Sequence, residues 1–446
     1  MEKKVLLCEK SKDELIDIIL EKEQEIEKLK KALKEQEKKK EKPKFVKINI
    51  KKRRRKPGRK IGHAGHTRRI PTQIDKIEEQ KLTHCPDCRN RLSKTVEVIE
   101  HIQEDIVPAI VKVVKYKKHR YWCKCCSKII TAPCHDREIP RGYLGPNILI
   151  QTAILKYYHC LPYRKIAELM EQMTGLRMTS SAIAQSLQRL SEWLQVEEQV
   201  ILEAIRGSPQ VHIDETGWRL NGKNHWLWAF INKRLAYYTI NLSRGRSVVK
   251  KTLTDKYNGT IISDFYGVYF NLPYKRQKCL VHLLRELHQC SQRDHSKAYQ
   301  QAYKKIKRII HDAVKLKMSK DKITKSVYVR RSRRIKLRLF KFMCGNYRNK
   351  NLKRISKRFS KYWLDMLTFL QEDDVDWNNN LAERMIRPNV IYRNRSFGNR
   401  SDNGSKAHST MMSIIQSLLL QEKDVFSHLK LAYLKHRHGN GDPILF

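Results

Sequence analysis

Near residue 208 the chain changes its hydrophobic period, and this change constrains the fold more than any other feature. Upstream, apolar residues recur at helical spacing; downstream they come in short runs bounded by turn residues. Val211-His-Ile-Asp214 reads as a strand ending on an acid. Trp226 to Ile231 and Ala236 to Leu242 read as two more strands, with Asn221-Gly222 at the first turn. Ser247 to Leu253 reads as a short helix, and Gly259 to Asp264 as a fourth strand, again ending on an acid. Lys278 to Val281 reads as a fifth strand before a helix from His282 to His288. The order strand-strand-strand-helix-strand-helix specifies a mixed α/β core. Asp214 and Asp264 are expected on neighbouring strands.

A third acid has a comparable setting. Asn378-Asn-Asn380 is a polar cap, and Leu381 to Arg387 is helical until Pro388, placing Glu383 in the first turn. Glu383 lies 119 positions beyond Asp264, and Asp365, Glu372, Asp373, Asp374 and Asp376 compete for its role. Those from Glu372 to Asp376 read as solvated loop charge. If Asp214, Asp264 and Glu383 converge, they form an oxygen cage for a hard divalent cation.

The surrounding charge suggests the substrate. Lys and Arg number 93 against 46 acids, a net charge of +47. An excess of that size needs a polyanionic partner, and nucleic acid is the leading one. Residues 38–69 carry 16 Lys/Arg and one acid, and residues 288–361 carry 25 and three. No apolar stretch approaches the roughly 20 residues of a membrane span. Val5 to Cys8 is too short an apolar run for a secretory signal, so the 11 cysteines are read in a reducing cytosol.

With 446 residues, several domains are expected. Residues 1–42 read as a coiled-coil-like helix, with Leu15, Ile19, Ile26, Leu29 and Leu33 at heptad positions. Residues 43–79 form a basic Gly/Pro-containing arm, in which Arg53, Arg54, Arg55, Arg59 and Lys60 are candidate phosphate contacts. Residues 80–140 hold Cys85-Pro-Asp-Cys88 and Cys123-Lys-Cys-Cys126 around strand-like stretches at Glu97 to Ile102 and Ile110 to Tyr116. Two such pairs match the ligands of one tetrahedral structural zinc ion: Cys85, Cys88, Cys123 and Cys126. Cys125 is a surplus thiol. Residues 141–207 read as helical, and Pro162 to Met170 followed by Thr179 to Trp193 resemble a helix-turn-helix. The core then spans 208–287 and 371–410, interrupted by a basic helical insertion at 288–370 and followed by a helical region at 411–446.

Taken in order, Ile213-Asp-Glu-Thr-Gly-Trp, Ser263-Asp-Phe-Tyr-Gly-Val-Tyr, Cys279-Leu-Val-His282-Leu-Leu-Arg285 and Asn379-Asn-Leu-Ala-Glu-Arg-Met-Ile-Arg-Pro388 resemble the DDE transposases of the bacterial insertion sequence sixty-six family. The arm, the cysteine module and Leu161-Pro-Tyr-Arg extend the resemblance over nearly the whole chain. It implies a ribonuclease-H-like core with Asp214, Asp264 and Glu383 as catalytic metal ligands, holding two Mg²⁺ or Mn²⁺ ions. Cys279 and His282 match a Cys-x-x-His pattern. They are expected to support the metal ligands near Asp264 by packing rather than to bind an ion themselves. Arg384, Arg387, Arg393, Arg395 and Arg400 sit where phosphates beside a scissile bond would be held.

The reading is a DNA transposase of the bacterial cytoplasm and nucleoid. It would bind terminal inverted repeats and target DNA, cut strands with metal assistance and join the ends. Its other expected partners are a second copy or a higher synaptic assembly and candidate accessory proteins of the same element, with no membrane role. Two alternatives stand beside it: a non-catalytic zinc-containing DNA-binding relative, and a metal-dependent nuclease without strand transfer.

Overall fold

The computed structural model describes residues 73–92, 94, 97–98, 110–131, 143–436 and 442–445. The expected zipper helix and residues 43–72 of the basic arm, with Arg53, Arg54, Arg55, Arg59 and Lys60, lie outside the described residues. Among the described residues, no helix is long and apolar enough to cross a membrane.

In the cysteine module, β1 (Arg120–Cys123) and β2 (Lys128–Thr131) form an antiparallel hairpin. The expected strand from Ile110 to Tyr116 is not one; Ile110 and Val113 are about nine-tenths exposed. The alternating pattern there has no ladder to join among the described residues. The hairpin forms one stretch later because the knuckle itself supplies the turn between Cys123 and Lys128.

Four helices follow: α1 (Pro146–Ala153), α2 (Tyr163–Thr174), α3 (Ser180–Trp193) and α4 (Gln195–Arg206). A π-helical turn, Ile154–Tyr158, extends α1. The helical pair α2–α3 forms as the sequence indicates. Gly175 ends α2 in the left-handed region at φ +71°, and the Thr179 hydroxyl caps α3 by accepting from Ala182 N at 3.1 Å.

The central sheet contains β3 (Gln210–Leu220), β4 (Lys223–Ile231), β5 (Ala236–Asn241), β6 (Thr260–Ser263) and β7 (Lys275–Lys278) in the order β5-β4-β3-β6-β7. The first three form an antiparallel meander, while β6 and β7 run parallel to β3. Asn221 and Gly222 both take positive φ at the first hairpin, as a two-residue Asn-Gly turn requires. The first strand differs from expectation: it passes through Asp214 and runs on to Leu220, because β4 continues to pair with it. A short helix, α5 (Arg246–Leu253), links β5 to β6.

After β7, α6 (Leu280–Ser291) leads into α7 (Lys297–Met318), α8 (Lys325–Met343) and α9 (Lys350–Met366). These helices share a hydrophobic cluster of their own, built on Leu283, Ile306, Ile335, Leu339 and Phe359. The chain returns in α10 (Asn380–Ser396), then α11 (Asp402–Leu420) and α12 (Val425–His436). Pro388 lies inside α10 rather than ending it. Helix α11 is buried almost continuously from Ser405 to Leu418 and packs on edge strand β5. Two of its hydroxyls, Ser413 Oγ and Ser417 Oγ, accept from Tyr238 N and Ala236 N at 2.9 Å. Donors that an edge strand would otherwise present to another chain are thus satisfied internally.

His408, on α11, is fully buried, with Nε2 2.8 Å from Asn389 Oδ1. Burial pushes the imidazole down to about 3, with Lys156 adding to the effect. A histidine whose folded value lies below its unfolded value leaves stability intact above the unfolded value, and stability falls as pH drops toward the folded one. Between pH 6.5 and 5 the loss from this group is expected to be about 2 kcal/mol. Thermal unfolding of His408→Gln against wild type across that window checks it; equal pH slopes would refute the assignment.

Candidate catalytic and metal-binding site

The register of the sheet brings the two aspartates together. His212 on β3 pairs with Ile262 on β6, so Asp214, two residues on in β3, and Asp264, just past the end of β6, leave this parallel pair at the same end. The Asp214 carboxyl accepts from Glu215 N at 3.0 Å, and that of Asp264 accepts from Tyr266 N at 2.9 Å. Burial pushes the Asp214 carboxyl up to about 7, with Glu215, then Asp264 and Glu383, adding repulsion. Asp214 therefore feels the charge of both other expected acids. Carboxylates crowded in this way suit a hard divalent cation, which supplies the missing positive charge.

Glu383 enters from the first turn of α10. His282 Nε2 lies 3.6 Å from its Oε1, and Arg285 Nη2 lies 3.5 Å from its Oε2. Cys279 and His282 thus meet the third acid as well as the second: Cys279 N donates to Ser263 O at 2.8 Å, beside Asp264. Asn379 joins these parts. It is 1% exposed; its Nδ2 donates to Ile213 O at 2.9 Å, its Oδ1 lies 3.1 Å from His212 Nδ1, and its backbone N donates to Cys279 Sγ at 3.2 Å.

The cysteine knuckles are each closed. Backbone N–H groups of Cys88 and Asp87, then the Cys88 thiol, hold the Cys85 thiol below its usual range, and Cys126 does the same for Cys123. Thiols drawn toward thiolate by their own turn fit a zinc knuckle. The structure brings the sulfurs together as two pairs. Among the described residues, the one group of three metal-binding side chains with ligand atoms within 4.8 Å of one another is Cys279, His282 and Glu383.

Residues 141–407 match the family model described as Transposase IS66 family. The chain belongs to this family. Residues 83–127 match the zinc-finger binding domain of transposase IS66, which supports zinc in the knuckle module of this transposase. Two uncharacterized proteins of Sinorhizobium fredii are similar. One, y4qI, is 24% identical over 87% of this chain and 76% of its own length. The other, y4jD, is 22% identical over 80% of this chain and 75% of its own length.

The candidate DNA contacts of the transposase divide into two sets. Arg384, Arg387 and Arg400 are exposed. Arg393 instead turns inward, with Nη1 donating to Thr216 Oγ1 at 3.0 Å and to Gly217 O, while Arg395 Nη1 donates to His159 O at 3.0 Å. Both lie on α10, which the sequence reading ended at Pro388; Arg393 is half-buried against β3, whereas Arg395 remains exposed. The acids read as solvated loop charge do lie on the loop between α9 and α10, with Asp373 and Asp374 exposed, and three of them have partners there. Asp376 Oδ2 lies 3.2 Å from buried His212, whose hydrogen bond holds the Asp376 carboxyl below its usual range. Glu372 pairs with Lys275, and Asp373 with Lys320. These acids fasten the segment between α9 and α10 to its neighbours.

Sequence reasoning missed two further groups beside the acids. Lys278 is fully buried, with Nζ donating to Asp264 O at 2.8 Å and Ser263 Oγ at 3.1 Å, so it holds the end of β6. Burial pulls its ammonium down to about 8 despite Asp264 and Asp365. Glu215 accepts from Arg244 Nη2 at 2.9 Å and from the Tyr269 hydroxyl. Arg244 is in turn clamped between the rings of Trp226 and Tyr266, 4.2 and 4.1 Å from their centroids. The available signal was a lysine between a basic stretch and the apolar Cys279-Leu-Val281, and an acid beside Asp214; neither names its partner.

Proposed function

We propose that this transposase cuts and joins DNA at the terminal inverted repeats of its element through Asp214, Asp264 and Glu383 on a ribonuclease-H-like core. The observation that carries this reading is the setting of the half-buried Asp214 carboxyl, pushed up first by desolvation, then by Glu215, and also by Asp264 and Glu383 from other elements. The sheet order, an antiparallel meander continued by two parallel strands, supports the core assignment. Two Mg²⁺ or Mn²⁺ ions held there would polarise a phosphodiester and activate an attacking water or terminal hydroxyl.

The protein's own residues would do the remaining work. Lys278 and the Arg244–Glu215 clamp hold the Asp264 loop in place, and Asn379 fixes α10 against β3. Exposed Arg384 and Arg387, beside Glu383, would hold phosphates near the reacting bond. The helical insertion has no acid from residue 322 to residue 364, and would carry the flanking duplex. The knuckle cysteines Cys85, Cys88, Cys123 and Cys126 would share one structural zinc ion. The synaptic complex would contain at least two copies.

The test uses labelled duplexes carrying the element's ends, incubated with full-length protein and Mg²⁺. Cut ends that then join to a target duplex are the expected result. Cutting without joined products would reduce the reading to a nuclease, and binding without cutting would reduce it to a DNA-binding protein.

A further inference from the structure

We propose that Cys279, His282 and Glu383 form a binding site for a zinc-class divalent ion, separate from the knuckle module and sharing the third acid with the magnesium site. This inference rests on the metal chemistry proposed above, which it deepens by giving Glu383 a second, softer partner set.

Geometry is the first support. One ligand atom from each side chain lies within 4.8 Å of the other two. The 3.6 Å between His282 Nε2 and Glu383 Oε1 is too long for a hydrogen bond. Two ligands bonded to one tetrahedral ion at about 2.0–2.1 Å lie about 3.3 Å apart, close to the gap observed.

Unmet bonding is the second support. Glu383 Oε1, the atom that faces His282 Nε2, is buried and has no hydrogen-bond partner. A buried carboxylate oxygen without a donor is a costly arrangement that a cation removes. On the far side of the carboxylate, Arg285 stands by Oε2, which leaves Oε1 as the ligand atom.

The donor chemistry selects the ion. One sulfur, one imidazole nitrogen and one carboxylate oxygen suit zinc or cobalt, whereas magnesium prefers oxygen alone. Cys279 is fully buried, and its Sγ already accepts from Asn379 N at 3.2 Å, a bond that would orient and stabilise the thiolate an ion requires. Cys279 and His282 are three positions apart where β7 gives way to α6, so their spacing is fixed by the backbone before any ion arrives. Three protein ligands leave a fourth tetrahedral position open, as in catalytic rather than structural zinc sites. The side chains of His282 and Glu383 are 34% and 21% exposed, so that position is reachable from solvent.

The experiment measures bound zinc. Full-length wild type, Cys279→Ser, His282→Ala and Asp214→Asn are loaded with zinc in the presence of excess magnesium, desalted and assayed for metal. Cys279→Ser and His282→Ala are each expected to hold about one zinc per chain fewer than wild type, and Asp214→Asn the same amount as wild type. Cobalt loading is expected to give weaker thiolate-to-metal absorption in Cys279→Ser than in wild type. Unchanged zinc content in both Cys279→Ser and His282→Ala overturns the proposal. So does loss of the ion in Asp214→Asn, which would place it at the paired aspartates. His282 is partly exposed, so its variant carries the test should Cys279→Ser fold poorly. The readout does not depend on DNA cutting: failure of the zinc site leaves the cutting assay untouched, and the reverse also holds.

Discussion

Asp214→Asn is expected to lower metal-dependent cutting of the element's ends by at least about 10³-fold, or about 4 kcal/mol on the barrier. The carboxylate it removes lies on β3, at the same end of the parallel pair as Asp264, where a cation would be shared between the two. An amide at the same place keeps the shape and one oxygen but gives up the negative charge that holds a hard divalent ion. Stability should move the other way or remain unchanged. Asp214 is half-buried, and Glu215, Asp264 and Glu383 all push against its charge, so neutralising it relieves repulsion in the folded state. The paired measurement is therefore single-turnover cutting and thermal unfolding of the metal-free protein. Lost cutting with an equal or raised melting temperature is the expected combination. Full magnesium-dependent cutting by the variant would falsify the catalytic assignment, and lost cutting with a collapsed melting temperature would show only a damaged fold.

The strands and acids were legible because each carries a local signal. An apolar run that stops on an acid, an Asn-Gly turn and a polar cap before a helix all act within a few residues, so Asp214, Asp264 and Glu383 stand out as candidates, with the family resemblance favouring Glu383 over its competitors. The limits of the strands were harder to place. Asp214 was expected at a strand end, yet β3 runs on through Gly217 and Trp218 because β4 pairs with it as far as Leu220. Pro388 was read as a stop, yet α10 continues to Ser396. Its packing on β3 and the buried Asn389 and Tyr392 outweigh the local cost of the ring. The same continuation brings Arg393 back onto β3, where it bonds Thr216 Oγ1 and Gly217 O, while Arg395 stays exposed. Pairing between distant residues was the least legible feature. Lys278 looks like one more charge in a basic chain until β7 sets it beside Ser263 and Asp264.

Asn379 is where this distant pairing has the largest structural effect, and Asn379→Ala is expected to cost about 2–5 kcal/mol of stability. The side chain is sealed from solvent, and alanine removes both of its polar atoms. Ile213 O then loses its Nδ2 donor and His212 Nδ1 loses its Oδ1 partner, both at buried residues. The backbone bond to Cys279 Sγ survives, so α10 still starts in place but is no longer pinned to the strand that carries Asp214. Glu383, one turn further along, should therefore drift relative to the aspartates. Cutting by the folded fraction should fall more than the unfolded population explains, and raising the magnesium concentration should recover part of it. Thermal unfolding together with cutting measured across a magnesium series, well below the melting temperature, separates the two effects. A destabilised protein whose folded fraction cuts like wild type at every magnesium concentration would make Asn379 a packing residue alone. A metal requirement shifted upward would make it the link by which the sheet positions the third acid.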